Sequence, residues 1–407
     1  MIFKNFFKYK TSIFILINSF LFYSVICLIS VFLVNDLNRK IKLLKPDTNI
    51  IRASYPNYKD FPKNKALKIF QEYAAPGTQY HSFIGYRRNE FVGSTVNIDN
   101  FGFRKSFNHQ LNNSYWFLGG STMWGTGSDD MSTIPSIFAK LTNKPVLNLG
   151  ESGFNSFQEI IQLQILLANG YKPKMVIFYD GVNDGGRFCR RNEFPQLQHS
   201  YTSRYSNMIK EIKTLRKNKK ERKIIDFEYL GLEFKSFFLK PLEYIQTLDE
   251  YNKTKSKKVS NIPLKEIKKK EKYMFCDDKN YAERASQLTI SSWINAYLIL
   301  RERNIPVKFI LQPTASYFPY EYNLEHIIDH KKQAIINERE SFIGYYDMLK
   351  EQWSIECKKF GICNLFLDLS KVYFKTKDTA IFIDRVHVSP NGNKIIAKKI
   401  AQSMGKY

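Results

Sequence analysis

Tyr115-Trp116-Phe117-Leu118-Gly119-Gly120-Ser121-Thr122 joins four large apolar residues to two glycines and a pair of hydroxyls. A run that short and that apolar reads as a buried strand, and paired glycines let the chain turn sharply where it ends. Ser121 is thereby set at a strand's carboxyl end. In open parallel α/β sheets ligands bind at that edge, and a helix starting there offers backbone N–H groups to an anion. A second apolar run, Met175-Val176-Ile177-Phe178-Tyr179, leads in the same way into Asp180-Gly181-Val182-Asn183-Asp184. There the Asn183 amide is suited to donate to a developing oxyanion. A serine hydroxyl is a poor nucleophile at neutral pH, so it needs an imidazole to take its proton and a carboxylate to hold that imidazole. Asp384-Arg385-Val386-His387 supplies such a pair. Each string alone has a plainer reading, as a turn or a satisfied polar loop. Their conjunction after successive strand-like runs points to catalysis.

The rest of the chain alternates in the same manner. Ile134 to Ala139 reads as a helix, Val146 to Leu149 as a strand, and Ser156 to Ala168 as a helix with Ile160, Ile161, Leu163 and Leu167 before Gly170. Trp293 to Leu298 reads as helix, Val307 to Leu311 as strand, and Leu365 to Asp368 as the final strand. Ser389 is an N-cap with Pro390 at the first helical position, and Ile395, Ile396, Ile400 and Met404 give the last helix one apolar face. Such alternation predicts a parallel sheet flanked by helices.

With these residues in view, the chain resembles the SGNH hydrolase (GDSL esterase/lipase-like) superfamily. In chain order Ser121 corresponds to the nucleophile, Gly153 of Ser152-Gly153 to the second block in preference to Gly150, Asn183 to the third, and Asp384 with His387 to the fifth. The resemblance implies a three-layer α/β/α sandwich of flavodoxin-like type. It also implies an oxyanion hole formed by the N–H groups of Ser121 and Gly153 and the amide of Asn183. The aspartate of the family's Gly-Asp-Ser is replaced here by Gly120, as in a Gly-Gly-Ser-Thr subset. Asp368 is a rival partner for His387, although its place at a strand end suits a capping role better.

The chain has 407 residues and a formal charge of +24. That length predicts a core of roughly 250 residues with extensions. Residues 12–34 are almost continuously apolar and match the ~20 residues needed to span a bilayer as a helix. No small-residue cleavage site follows Val34, so a retained anchor is expected after a short tail at 1–11. Residues 35–106 read as a juxtamembrane and lead-in segment that packs across the core. The hydrolase domain is expected over 107–407, with a basic insertion at about 186–285. This insertion carries Lys217-Asn218-Lys219-Lys220-Glu221-Arg222-Lys223 and Lys268-Lys269-Lys270-Glu271-Lys272, readable as a lid, a basic surface or a solvated stretch. Lysines flank the span on both sides, and the charge bias does not set its orientation. Cys27 lies in the span, leaving Cys189, Cys276, Cys357 and Cys363. A Cys189 to Cys276 bridge would clamp the insertion, and Cys357 with Cys363 would close a small loop. Two bridges imply an oxidising compartment, such as a bacterial periplasm outside an inner-membrane anchor.

No zinc pattern, phosphate loop or recognition helix is evident, so no metal, cofactor or nucleic acid is expected. The function expected is a membrane-anchored esterase on acyl or acetyl esters of envelope glycans or lipids. O-acyl transfer beside a membrane-bound O-acyltransferase, and non-catalytic glycan binding, are the alternatives.

Overall fold

The run at 115–118 becomes an interior strand of a five-stranded sheet in the computed structural model, which describes residues 2–44, 47–190, 237–259, 274–318, 327, 329–374 and 380–405. Four short strands precede that sheet: β1 (Thr78–His81), β2 (Gly85–Arg88), β3 (Phe91–Val92) and β4 (Asn97–Ile98). The sheet consists of β5 (Tyr115–Gly119), β6 (Val146–Asn148), β7 (Met175–Asp180), β8 (Val307–Leu311) and β9 (Phe366–Asp368). Its order is β6-β5-β7-β8-β9, and all neighbours are parallel.

Strand side chains alternate between faces, and here the alternation sorts residues into two cores. Trp116, Leu118, Val176, Phe178, Phe309 and Leu311 join one cluster with residues of the helices Ser156–Ala168, Lys279–Arg301 and Asp329–Phe360. Phe117, Ile177, Tyr179 and Ile310 face the other, with residues of the helices Ile134–Thr142 and Pro390–Gln402. Both faces are therefore covered, which explains why the strands read as continuous apolar runs. Each fully buried side chain of this size stabilises the fold by about 1.5–3 kcal/mol. The architecture is the expected α/β/α sandwich.

Local signals set the helix starts. Thr133 caps Ile134–Thr142 by accepting from Ser136 N, and a proline occupies the first turn. Asn155 accepts from Gln158 N, Asp278 from Asn280 N and Tyr281 N, and Ser389 from Gly392 N. Each leaves fewer backbone donors unsatisfied in the first turn.

By contact the chain divides into two units, one comprising Met1–Asp47 with Lys210–Lys270 and the other Thr48–Ile209 with Glu271–Tyr407. The described part of the basic insertion in the first unit, residues 237–259, thus groups with the N-terminal helix, a division that the expected boundaries did not draw. In the first unit the helix Ile2–Leu44 is longer than the predicted span, and Phe14–Ile41 within it is long and apolar enough to cross a membrane, as a signal sequence also is. Cys27, Ser30, Val34, Leu37 and Ile41 are buried along one seam spaced alternately three and four residues apart, and the helix packs against Lys240–Val259. Tyr23 stacks on Phe238 at 5.8 Å and donates to its carbonyl at 2.9 Å. The lysine clusters at 217–223 and 268–272 lie outside the described residues.

In the second unit the lead-in segment lies on the sheet's loops. Arg88 of β2 donates to Glu151 at 3.4 Å, Ser152 at 2.8 Å and the Tyr73 carbonyl at 2.9 Å. Arg104 donates to Asp130 at 2.6 Å and to the Ser128 carbonyl at 2.9 Å, tying the lead-in to the loop beyond Ser121. Two disulfides, Cys189–Cys276 and Cys357–Cys363, occur in this unit, and Cys27 is a free thiol in the other.

Candidate active site

Strand β5 is followed in the chain by β6 on one side of it and by β7 on the other, so the strand order reverses between β5 and β7. Open α/β sheets have their ligand crevice at such a switch point. Ser121 follows β5, and Asn183 follows β7.

Ser121 opens the short helix Ser121–Trp124, with Gly120 as its extended N-cap. The serine Oγ lies 2.7 Å from His387 Nε2. Across the ring, His387 Nδ1 lies 2.9 and 2.8 Å from the two carboxyl oxygens of Asp384. Burial opposes ionisation of Asp384. The His387 ring, through its charge when protonated and through hydrogen bonding, and then the Arg52 guanidinium outweigh that effect and hold the carboxyl well below the usual range. An ionised carboxylate only accepts, so Nδ1 carries the ring proton and Nε2 offers its lone pair to the serine hydroxyl.

The Asp-x-x-His spacing has a local cause. Asp384 Oδ1 accepts the backbone N–H groups of Val386 at 3.0 Å and His387 at 2.9 Å. The carboxylate thus shapes the turn that carries the ring it holds, as Asx turns do. Thr314 Oγ1 and Ala315 N donate to the Arg385 carbonyl at 2.8 and 2.9 Å, and the Asn57 amide donates to the Ala380 carbonyl. These bonds pin the turn beside β8. Asp368 stands apart from it, exposed at the end of β9 and accepting from Ser370 N at 2.8 Å.

On the oxyanion side, Asn183 lies in the first turn of the helix Val182–Phe188 and not in a loop, and its Nδ2 donates to the Phe154 carbonyl at 2.6 Å, which joins that helix to the loop holding Gly153. Gly153 adopts φ +83°, a conformation that side chains disfavour. Gly150 serves a different need, since a Cβ there would meet the backbone of Met123 and Trp124 in the helix that Ser121 opens. A Cβ on Gly120 would fall on Asn183 Nδ2. With the Asn183 amide where it stands, position 120 has no room for a side chain. Asn183 keeps a second amide hydrogen beyond its bond to Phe154, on the Gly120 side.

Two features had no legible sequence signal. Arg52, on the helix Thr48–Ala53, donates to Asp384 Oδ2 at 3.2 Å. At the start of the helix Val182–Phe188, Glu159, Asp180 and Asp184 are buried together. Asp180 accepts from Trp293 Nε1 at 2.8 Å, and Asp184 accepts from the hydroxyls of Ser156 at 2.5 Å and Thr289 at 3.3 Å. No N–H or O–H group donates to either Glu159 oxygen among the described residues. Burial, then the neighbouring Asp184 charge, pushes Asp180 up to about 8. Burial, then Asp180, pushes Glu159 well up, and with no donor of its own Glu159 is the member that carries a proton and gives it to Asp180. Glu159 in a helix's first turn reads from sequence only as a favourable dipole charge.

The profile of the family described as GDSL-like Lipase/Acylhydrolase matches residues 115–400. No curated protein matches the chain. Among solved structures the chain is similar to a GDSL-like lipase from Bacteroides thetaiotaomicron at 12% identity, covering 71% of this chain and 86% of that one with a TM-score of 0.34. It is also similar to an acetylxylan esterase from Geobacillus stearothermophilus at 13% identity, covering 73% of this chain and 98% of that one with a TM-score of 0.34.

Proposed function

Because the chain belongs to the GDSL-like lipase/acylhydrolase family, whose profile spans well over half of it, we propose that it is a membrane-anchored serine esterase acting on acyl or acetyl esters of cell-envelope glycans or lipids. The observation that carries the proposal is the line from Ser121 Oγ to His387 Nε2 and from Nδ1 to Asp384. Ser121 Oγ attacks the ester carbonyl as its proton passes to His387 Nε2, and Asp384 holds the imidazolium that forms. The negative carbonyl oxygen of the tetrahedral intermediate is met by the N–H groups of Ser121 and Gly153 and the amide of Asn183. Collapse expels the alcohol, which takes the proton from Nε2. Water then attacks the acyl-serine with His387 as base, releasing the acid and restoring the serine.

The helix Phe14–Ile41 supports anchoring, and two disulfides in the sheet-bearing unit support a catalytic domain on the oxidising side of the inner membrane. A periplasm-dependent reporter fused after Tyr407 should therefore be active. A fluorophosphonate should label Ser121 alone, because only an activated hydroxyl attacks it. Labelling that persists in Ser121→Ala would refute the assignment. With a sugar hydroxyl as acceptor the same residues perform O-acyl transfer, beside a membrane-bound O-acyltransferase. Mass spectrometry of envelope glycans with and without the protein separates the two, since hydrolysis removes acetyl groups and transfer adds them.

A further inference from the structure

The base side of the site contains a cation that neither the triad nor the oxyanion hole requires. Arg52 Nη2 meets Asp384 Oδ2 at 3.2 Å, and the two side chains are only 13% and 12% exposed. The guanidinium also lies over the Phe70 ring, 4.5 Å from its centroid. Phe70, Tyr55, Tyr58, Ala66 and Ile383 form a buried cluster against which Ile51 and Ala53 of the arginine's own helix pack. Ile383 precedes Asp384 in the chain, so one apolar cluster supports both ends of the ion pair.

The Asp384 oxygens are divided between two tasks. Both face the His387 ring, while Oδ1 also accepts from the turn's backbone and Oδ2 also accepts from Arg52. Two other ionisable groups lie near. Burial raises the Tyr58 phenol, which stays neutral and donates to the Gly127 carbonyl at 2.7 Å, and Arg385 is paired with Glu338. Arg52 is therefore the cation that bears on the aspartate–histidine pair.

We infer that Arg52 is a positioning residue of the active site, one that holds Asp384 Oδ2 and opposes premature protonation of His387. The inference rests on the serine-esterase reading above. An unopposed Asp384 carboxylate draws a proton onto the imidazole and removes the base that Ser121 needs. A positive charge on the carboxylate's far side weakens that pull. The arginine lies in the chain just after the N-terminal helix that ends at Leu44, so the catalytic base depends on the segment following the proposed anchor.

The test is the rate of Ser121 labelling by a fluorophosphonate in the full-length, detergent-solubilised protein, measured from pH 5 to 9. Arg52→Gln keeps a hydrogen-bond donor and loses the charge, and Arg52→Lys keeps the charge and loses the planar fork. The acid limb of the Arg52→Gln profile should move up by about half to one pH unit. Arg52→Lys should leave the limb near its wild-type position while lowering the plateau. A purely structural role would lower the Arg52→Gln rate by the same factor at every pH with the limb unmoved, and that result, or an unchanged profile, would overturn the inference alone. Wild-type protein unlabelled at Ser121 at every pH would instead overturn the esterase reading and this inference with it.

Discussion

Glu159→Gln should make the protein less sensitive to alkali, because it replaces a proton that the fold is forced to keep. In the folded chain Glu159 is fully buried, without a donor, and its pKa is raised by burial and by Asp180. Unfolded, it titrates near the ordinary glutamate value of about 4.3. The sign follows from proton binding. Above about pH 4.3 the folded state holds a proton that the unfolded state releases, so stability is full below that pH and declines as pH rises toward the folded-state value. While the folded state keeps that proton, each pH unit lowers stability by about 1.4 kcal/mol. Glutamine has the shape of the protonated acid, donates to Asp180 in the same way and never ionises. Wild type and Glu159→Gln should thus match near pH 4.5 and diverge steadily to pH 8, with the variant more stable. Urea-unfolding midpoints of the solubilised protein, followed by Trp fluorescence at pH 5, 6, 7 and 8, measure that divergence. Parallel pH dependences for the two proteins would show that Glu159 is not the proton carrier.

Asp384→Asn should lose most turnover while substrate binding persists, because asparagine can hold the ring in the wrong tautomer without altering the pocket; Asp368→Asn should leave the rate nearly unchanged, and the reverse pattern in steady-state kinetics would reassign the base's partner. Asn183→Ala should lose on the order of 3 kcal/mol of transition-state stabilisation, and Gly120→Ala, whose Cβ would fall on the Asn183 amide, should lower kcat more than it raises KM. Replacing Cys189 and Cys276 by serine opens a loop with a sequence separation of 87 and should destabilise the sheet-bearing unit by about 4 kcal/mol, measured by urea unfolding.

Much of the site was legible because its parts lie at strand ends. Tyr115 to Leu118 and Met175 to Tyr179 contrast sharply with the glycines that follow, and that contrast marks both a strand and its functional edge. Asp384 and His387 were legible as a pair because one carboxylate makes both the turn and the ring contact over three residues. Arg52 was not, since its partner lies 332 residues away and nothing near Ile51-Arg52-Ala53 distinguishes it from a surface arginine. The buried seam of Cys27, Ser30, Val34, Leu37 and Ile41 was hidden for the opposite reason. A helix apolar on every side gives no contrast between a face that meets protein and a face that meets lipid.

The sheet order has a consequence for how this enzyme would fail. Ser121 and Asn183 follow neighbouring interior strands locked together by five register pairs from Tyr115↔Met175 to Gly119↔Tyr179. His387 follows no strand directly, and its loop is moored by three backbone bonds, from Ile383 N, Ser389 N and Ala315 N, and by the side chains of Asp384, Thr314, Asn57 and Arg52. Ser121 and Asn183 therefore share the sheet's cooperative melting, whereas His387 is fastened by a few bonds that can open singly. On gradual heating the serine should fall silent toward fluorophosphonate before far-ultraviolet dichroism changes, and cooling should restore it. Thermal inactivation would begin as an uncoupling of proton transfer within an intact scaffold.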